Sequence, residues 1–287
     1  MHERNAMNRW PTFMAPRDGS RDLQRLDFRH DGLRFSYLDG GGVGPVLIAL
    51  HAHFMEASTF VPLASKLPSG WRLLALDQRG HGHSDHAATY DRQDYMGDLE
   101  AFVEHVGIGP FVLLGHSLGG VNAYQFAARH PERVRGLIIE EIGAEVSTGL
   151  EFVLPWAGEF PTREALAERV GERMFPYVVD SVRETPNGFR LAFEPRDVVA
   201  SAERLTGDHS RDWLATDCPA LVIRGRDSVV TDASSIERMA GRRPNTELVV
   251  LAGGHAVHMD NLAGFAETIG RFLSGPAMGS TPRRPLA

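Results

Sequence analysis

The segment Phe111-Val-Leu-Leu-Gly115-His116-Ser117-Leu118-Gly119-Gly120-Val121 joins a continuous apolar run of strand length to a stretch with helical spacing. A Gly-x-Ser-x-Gly pentapeptide is a weak signal by itself, but here it falls on the strand-to-helix turn. Glycines on either side keep side chains out of the crowded bend, and the turn lifts the Ser117 hydroxyl out of the sheet. The helix that begins after Ser117 aims its first amides at the hydroxyl, a placement that favours a developing negative charge. The bland alternative is a glycine-rich turn with an incidental serine, and the rest of the chain decides between the two.

Outward from this turn the pattern repeats. Apolar runs at 45–50, 71–76, 134–139, 220–223 and 248–251 read as strands, and they alternate with helical spacing at 95–106, 121–128, 233–239 and 262–273. Residues 23–38 alternate apolar and polar around the turn dipeptide Asp31-Gly32, which predicts a β-hairpin at a sheet edge. Strands alternating with helices predict an α/β fold, a mostly parallel central sheet with helices on both faces. The alternation stops at 143–217, where no strand-like run stands out and Phe152, Trp156, Phe160, Phe175, Tyr177, Phe189, Phe193 and Trp213 accumulate. The expected organisation is a core of 23–142 and 218–274, a helical cap at 143–217, and tails at 1–22 and 275–287 with little fixed structure.

With 287 residues and 43% hydrophobic content, the chain can bury one large core without staples. Its net charge of −7 is scattered, so no Lys/Arg block points to nucleic acid or an anionic membrane, and a small neutral or apolar substrate fits better. Cys218 is the only cysteine, which excludes an intrachain disulfide and reads as a structural thiol. No stretch of residues 1–22 is apolar enough for a signal peptide, so a cytoplasmic location is expected. A homo-oligomer is compatible with all of this.

The turn at Ser117 resembles the nucleophile elbow of the α/β-hydrolase family, and the resemblance runs from about Leu33 to Leu273. Leu50-His51-Ala52-His53-Phe54, followed by Ser58 and Phe60, is similar to the family's strand-end loop, with Ala52 where glycine is usual. Asp77-Gln78-Arg79-Gly80-His81-Gly82-His83-Ser84 is similar to its D-x-R-G-x-G-x-S turn. The resemblance implies an oxyanion hole formed by the backbone amides of His53 and Leu118. The aromatics of the insertion are expected to be mostly its own core with a minority lining a pocket, and the cap is expected to sit over the Ser117 mouth, with Phe54, His116, Trp156 and Phe160 as substrate contacts.

A serine hydroxyl needs an imidazole to take its proton. His255, in Leu251-Ala-Gly-Gly-His255-Ala-Val-His258, resembles the family's base; His258 is read as packing, and His51, His81 and His83 as turn histidines. The orienting carboxylate usually follows the strand after the insertion, here Ala220-Leu-Val-Ile-Arg224-Gly225-Arg226-Asp227-Ser228. The commonest family spacing lands on Ser228, so Asp227, one residue earlier, is the expected acid. Glu141, at the end of the preceding strand, is the rival.

A serine nucleophile disfavours dehalogenase and epoxide-hydrolase chemistry, which needs a carboxylate. The expected activity is therefore serine hydrolysis of an ester-like bond, carboxylesterase- or lactonase-like, on a small molecule and without a cofactor. C–C cleavage, acyltransfer, perhydrolysis and a ligand-binding role with little turnover stay open. No metal is expected, since the histidines show neither H-E-x-x-H nor paired Cys/His spacing.

Overall fold

The computed structural model describes residues 23–275; both expected tails, 1–22 and the stretch beyond 275, lie outside the described residues. The first half lays down β1 (Gln24–His30), β2 (Leu33–Asp39), β3 (Val46–Leu50), the short helix α1 (Val61–Ala64) and β4 (Arg72–Leu76). α2 (Arg92–Val106), β5 (Phe111–His116), α3 (Leu118–Arg129) and β6 (Val134–Glu140) follow. The sheet resumes, after the excursion described below, with β11 (Ala220–Gly225) and β12 (Thr246–Leu251).

The eight sheet strands run in the order β1-β2-β4-β3-β5-β6-β11-β12. From β4 to β12 all pairs are parallel, and β1 and β2 form the antiparallel hairpin turned at Asp31-Gly32. Burial on both faces follows from the strand period of two. Leu47 and Ala49 enter one core with Phe60, Phe265 and Ile269, whereas Ile48 and Leu50 enter the other with Leu99, Val121 and Ile236. The order reverses about β3: the chain passes from β3 to β4 on one side, then crosses back to β5 on the other. A crevice at the carboxyl ends of β3 and β5 results, and ligands bind at such switch points in open α/β sheets. Both the loop after Leu50 and the turn at Ser117 open there.

Between β6 and β11 the chain makes its excursion: β7 (Glu145–Val146), α4 (Arg163–Val170), α5 (Phe175–Val178), β8 (Val182–Thr185), β9 (Gly188–Leu191), α6 (Pro195–Leu205), β10 (Gly207–Asp208) and α7 (Ser210–Trp213). β7 and β10 pair antiparallel and close the neck. The excursion is not wholly helical, because β8 and β9 form an antiparallel hairpin. Its two loop residues are Pro186-Asn187, a turn signal outweighed by strands of only four residues with no long apolar run.

The expectation that Trp156 lines a substrate pocket is corrected here: it belongs to the interior of the cap, and Phe160, half-buried, packs against the same cluster. Trp156 is 4% exposed among Val153, Leu166, Val198 and Phe193. Phe160 bridges Phe189 and lies beneath Arg169. Trp156→Ala is therefore expected to lower stability by about 3–5 kcal/mol, read by urea or thermal unfolding of the whole chain. A changed substrate ranking with unchanged stability would return Trp156 to the pocket.

After β11, α8 (Ala233–Arg242) leads to β12, and α9 (Val257–Asp260) and α10 (Leu262–Ser274) end the described chain. None of the described helices is long and apolar enough to cross a membrane.

Candidate active site

Ser117 sits at φ 51°, ψ −112°, outside the regions that non-glycine residues ordinarily occupy, as a sharp strand-to-helix turn demands. Space explains the flanking glycines. A Cβ on Gly115 would lie 2.1 Å from the Gly119 carbonyl oxygen, and one on Gly119 would lie 2.2 Å from the Leu50 carbonyl oxygen. The Ser117 amide donates to the Glu140 carbonyl at 2.9 Å, which ties the turn to β6. Leu118 is the first residue of α3, so its amide has no acceptor within the helix and is free to serve another group.

The loop after β3 is held from below. The Gln78 amide donates to His51 Nε2 at 2.9 Å, so the His51 proton resides on Nδ1, which donates to the Ala52 carbonyl at 2.7 Å. Ala52 is accommodated because the left-handed residue in this loop is Phe54, at φ 72°. The Phe54 ring meets Trp156, Phe193 and Phe152 of the cap at centroid distances of 5.7, 5.7 and 6.4 Å. The side chain expected to touch substrate thus also joins the loop to the cap.

His255 lies between β12 and α9, and its Nδ1 is 3.2 Å from Glu141 Oε2. Glu141 is fully buried at the end of β6, at φ 55°. Its Oε1 accepts from the Gly225 amide at 2.6 Å and its Oε2 from the Ser228 hydroxyl at 2.6 Å. This corrects the expectation for Asp227. The Asp227 side chain is 61% exposed, pairs with its neighbour Arg226 and accepts from the Gly253 amide at 3.3 Å. The physical reason is a division of labour between two strand ends. Ser228, where the family spacing expects an acid, supplies a hydroxyl donor, and the carboxylate arrives from β6.

His116 was expected near substrate but is fully buried, with Nε2 2.7 Å from the His255 carbonyl oxygen. Beneath it lies an arrangement the sequence reading missed. Both Glu140 oxygens are 2.9 Å from His258 Nδ1, and His258 Nε2 is 2.7 Å from Thr59 Oγ1. Burial works to raise the Glu140 pKa, but the attraction of His258, with hydrogen bonds from its ring and its amide, outweighs it and holds the carboxyl below its ordinary value. The pair pins α9, and with it the His255 loop, to the end of β6. One atom each from His116, Glu140 and His258 lies within 4.8 Å of the others, a grouping of metal-ligand type. Holding an ion would require Glu140 and His258 to give up their mutual contact. Adjacent Glu140, the last residue of β6, and Glu141, just beyond it, could have signalled two separate histidine partners.

Burial pushes His51 down to about 4 and His81 to about 3, and drives His53 and His116 well below the ordinary histidine value. The folded protein therefore keeps these four rings neutral while the unfolded chain protonates them near pH 6.5. Because the unfolded state binds more protons, stability rises with pH across this window and falls as pH drops below about 6.5. The expected slope between about pH 6 and pH 4.5 approaches four protons, about 5 kcal/mol per pH unit as an upper bound. Urea midpoints across that range check it; a flat profile would mean that the rings are not held neutral.

A family profile described as alpha/beta hydrolase fold matches residues 45–172. The serine hydrolase-like protein of Danio rerio is 34% identical over 270 residues, covering 82% of this chain and 83% of that protein. The 2-(acetamidomethylene)succinate hydrolase of Mesorhizobium japonicum is 27% identical over 232 residues, covering 74% of this chain and 81% of that protein. The crystal structure of an E-2-(acetamidomethylene)succinate hydrolase superposes with a TM-score of 0.79 at 22% identity, covering 88% of this chain and 100% of that one.

Proposed function

The chain belongs to the α/β-hydrolase family, and from that premise we propose that it hydrolyses an acyl bond of a small molecule through an acyl-enzyme on Ser117. Ser117 Oγ attacks the acyl carbon and its proton passes to His255 Nε2. The tetrahedral oxyanion is held by the His53 and Leu118 amides, and its collapse expels the leaving group, which takes the proton from His255. Water then attacks the acyl-enzyme with His255 again as base. Glu141 keeps the proton of neutral His255 on Nδ1 and stabilises the imidazolium formed in each half-reaction. The scheme calls for a small-molecule substrate and no cofactor.

The observation that carries this reading is the buried Glu141 carboxylate on His255 Nδ1, in a chain whose Ser117 occupies the strained strand-to-helix turn. The relatives support hydrolysis, and one of them is named for a substrate with an acetamido group. Carboxylesters and lactones are the leading substrate class, and substituted amides and thioesters belong in the test panel.

A fluorophosphonate probe is expected to label the chain once, on the peptide containing Ser117, and at least one panel substrate should turn over above background. No labelling and no turnover across the panel would leave a ligand-binding member of the fold.

A further inference from the structure

We infer that Ser181, Arg183 and Ser201 of the cap are positioning residues for the oxyanion hole, so that the cap completes the catalytic centre and does more than cover it. The inference rests on the acyl-enzyme reading, in which the His53 amide is a donor to the oxyanion.

Three of the four residues from His53 to Glu56 take a polar contact from the cap, each from a different element. His53 Nε2 is 2.9 Å from Ser201 Oγ on α6, and the Ser201 hydroxyl is 2.8 Å from Tyr95 OH on α2. The Ser181 hydroxyl, just before β8, donates to the Phe54 carbonyl at 2.7 Å. Arg183 on β8 donates to the buried Glu56 carboxylate and braces itself on the Asp180 carbonyl at 2.7 Å. The core holds the two ends of this loop, where Gln78 grips His51 and Asp77 accepts from the Ala57 amide at 2.7 Å. At Glu56 the Ser58 hydroxyl and Thr59 amide donate at 2.9 and 3.1 Å; the polar contacts to His53 and Phe54 come from the cap. Within the loop, the Met55 amide reaches the Ala52 carbonyl at a long 3.4 Å.

Phe54 makes this support necessary. A bulky side chain at φ 72° is strained, and such a conformation persists only where its surroundings over-determine it. The Ser181 bond falls on the carbonyl of that residue, and the Ser201 contact falls on the side chain of the residue before it. Without them Phe54 can relax toward an ordinary backbone and carry the neighbouring His53 amide away from the oxyanion. An oxyanion donor is worth about 10²–10³ in turnover, and a misplacement of about 1 Å costs up to about 10².

The test uses Ser181→Ala, Ser201→Ala and Arg183→Met in the full chain. Each is expected to lower kcat by about tenfold to a hundredfold with KM within about threefold. Each should also speed hydrogen exchange in the peptide spanning 51–57. Ser181→Thr, which keeps the hydroxyl, should recover most of the loss. Asp197→Asn is the control. Asp197, on the same helix as Ser201, fastens α6 to Tyr90 at 2.7 Å and His86 at 3.0 Å and makes no hydrogen bond to residues 51–57, so its loss should leave kcat within about twofold. Unchanged kcat and unchanged exchange in the folded variants would overturn the inference, as would a lowered Tm with kcat retained. If Ser201→Ala does not fold, the other two variants decide it. Failure of the acyl-enzyme reading is separately visible, because Ser117→Ala would keep its turnover while loop exchange still responded to the cap variants.

Discussion

Ser117→Ala is expected to leave the fold intact and to lower kcat by at least about three orders of magnitude on the best panel substrate. The side chain is only half-buried, and the turn is held by the Ser117 amide to Glu140 and by the fit of Gly115 and Gly119, none of which involves the hydroxyl. Alanine keeps the same backbone and removes the only oxygen able to form the acyl-enzyme. What remains should be the residual rate set by substrate binding and the two oxyanion amides. Steady-state kinetics together with thermal unfolding check it. A variant that keeps more than about a tenth of the wild-type rate sinks the assignment of Ser117 as nucleophile.

Glu141→Gln is expected to cost about a thousandfold or more in kcat, against less than about threefold for Asp227→Asn. An amide at 141 keeps the size of the side chain, and its oxygen can still accept from the Gly225 amide. It cannot carry the charge that stabilises the His255 imidazolium, and it can present N–H to Nδ1, which stabilises the wrong tautomer. Asp227 lies in solvent against Arg226, so neutralising it removes one exposed ion pair of little worth. Measured side by side on one substrate, the two losses order the candidates. A larger loss at Asp227 would move the acid to the loop after β11 and leave Glu141 as a structural carboxylate.

The contrast between these two carboxylates marks how far the sequence can be read. The strand, turn and helix around Ser117 were legible because every determinant is local: an apolar run, glycines where backbones nearly touch, and helical spacing directly afterwards. The parallel sheet was legible for a similar reason, since continuous apolar runs such as 45–50 suit only strands covered on both faces. The loop carrying His255 was found by its resemblance and its place after the last strand. The β8–β9 hairpin was missed because four-residue strands leave too little periodicity, even with Pro186-Asn187 between them.

By itself, then, the sequence determined the fold class, the elbow at Ser117, the order of its elements and the short list of groups able to do acyl chemistry. Tertiary structure alone decided which carboxylate meets His255. Gly225 and Glu141 are 84 residues apart, and only the pairing of β6 with β11 sets both strand ends beside the His255 loop. It likewise decided that Ser228 donates to Glu141, that Glu140 and His258 lock the loop from beneath, and that Trp156 packs inside the cap. The physical reason is range. Backbone propensity and side-chain period act over a few residues, whereas a buried charge takes whichever partner the packed strands bring within about 3 Å. That choice is made by burial and register together, neither of which a local stretch of sequence contains.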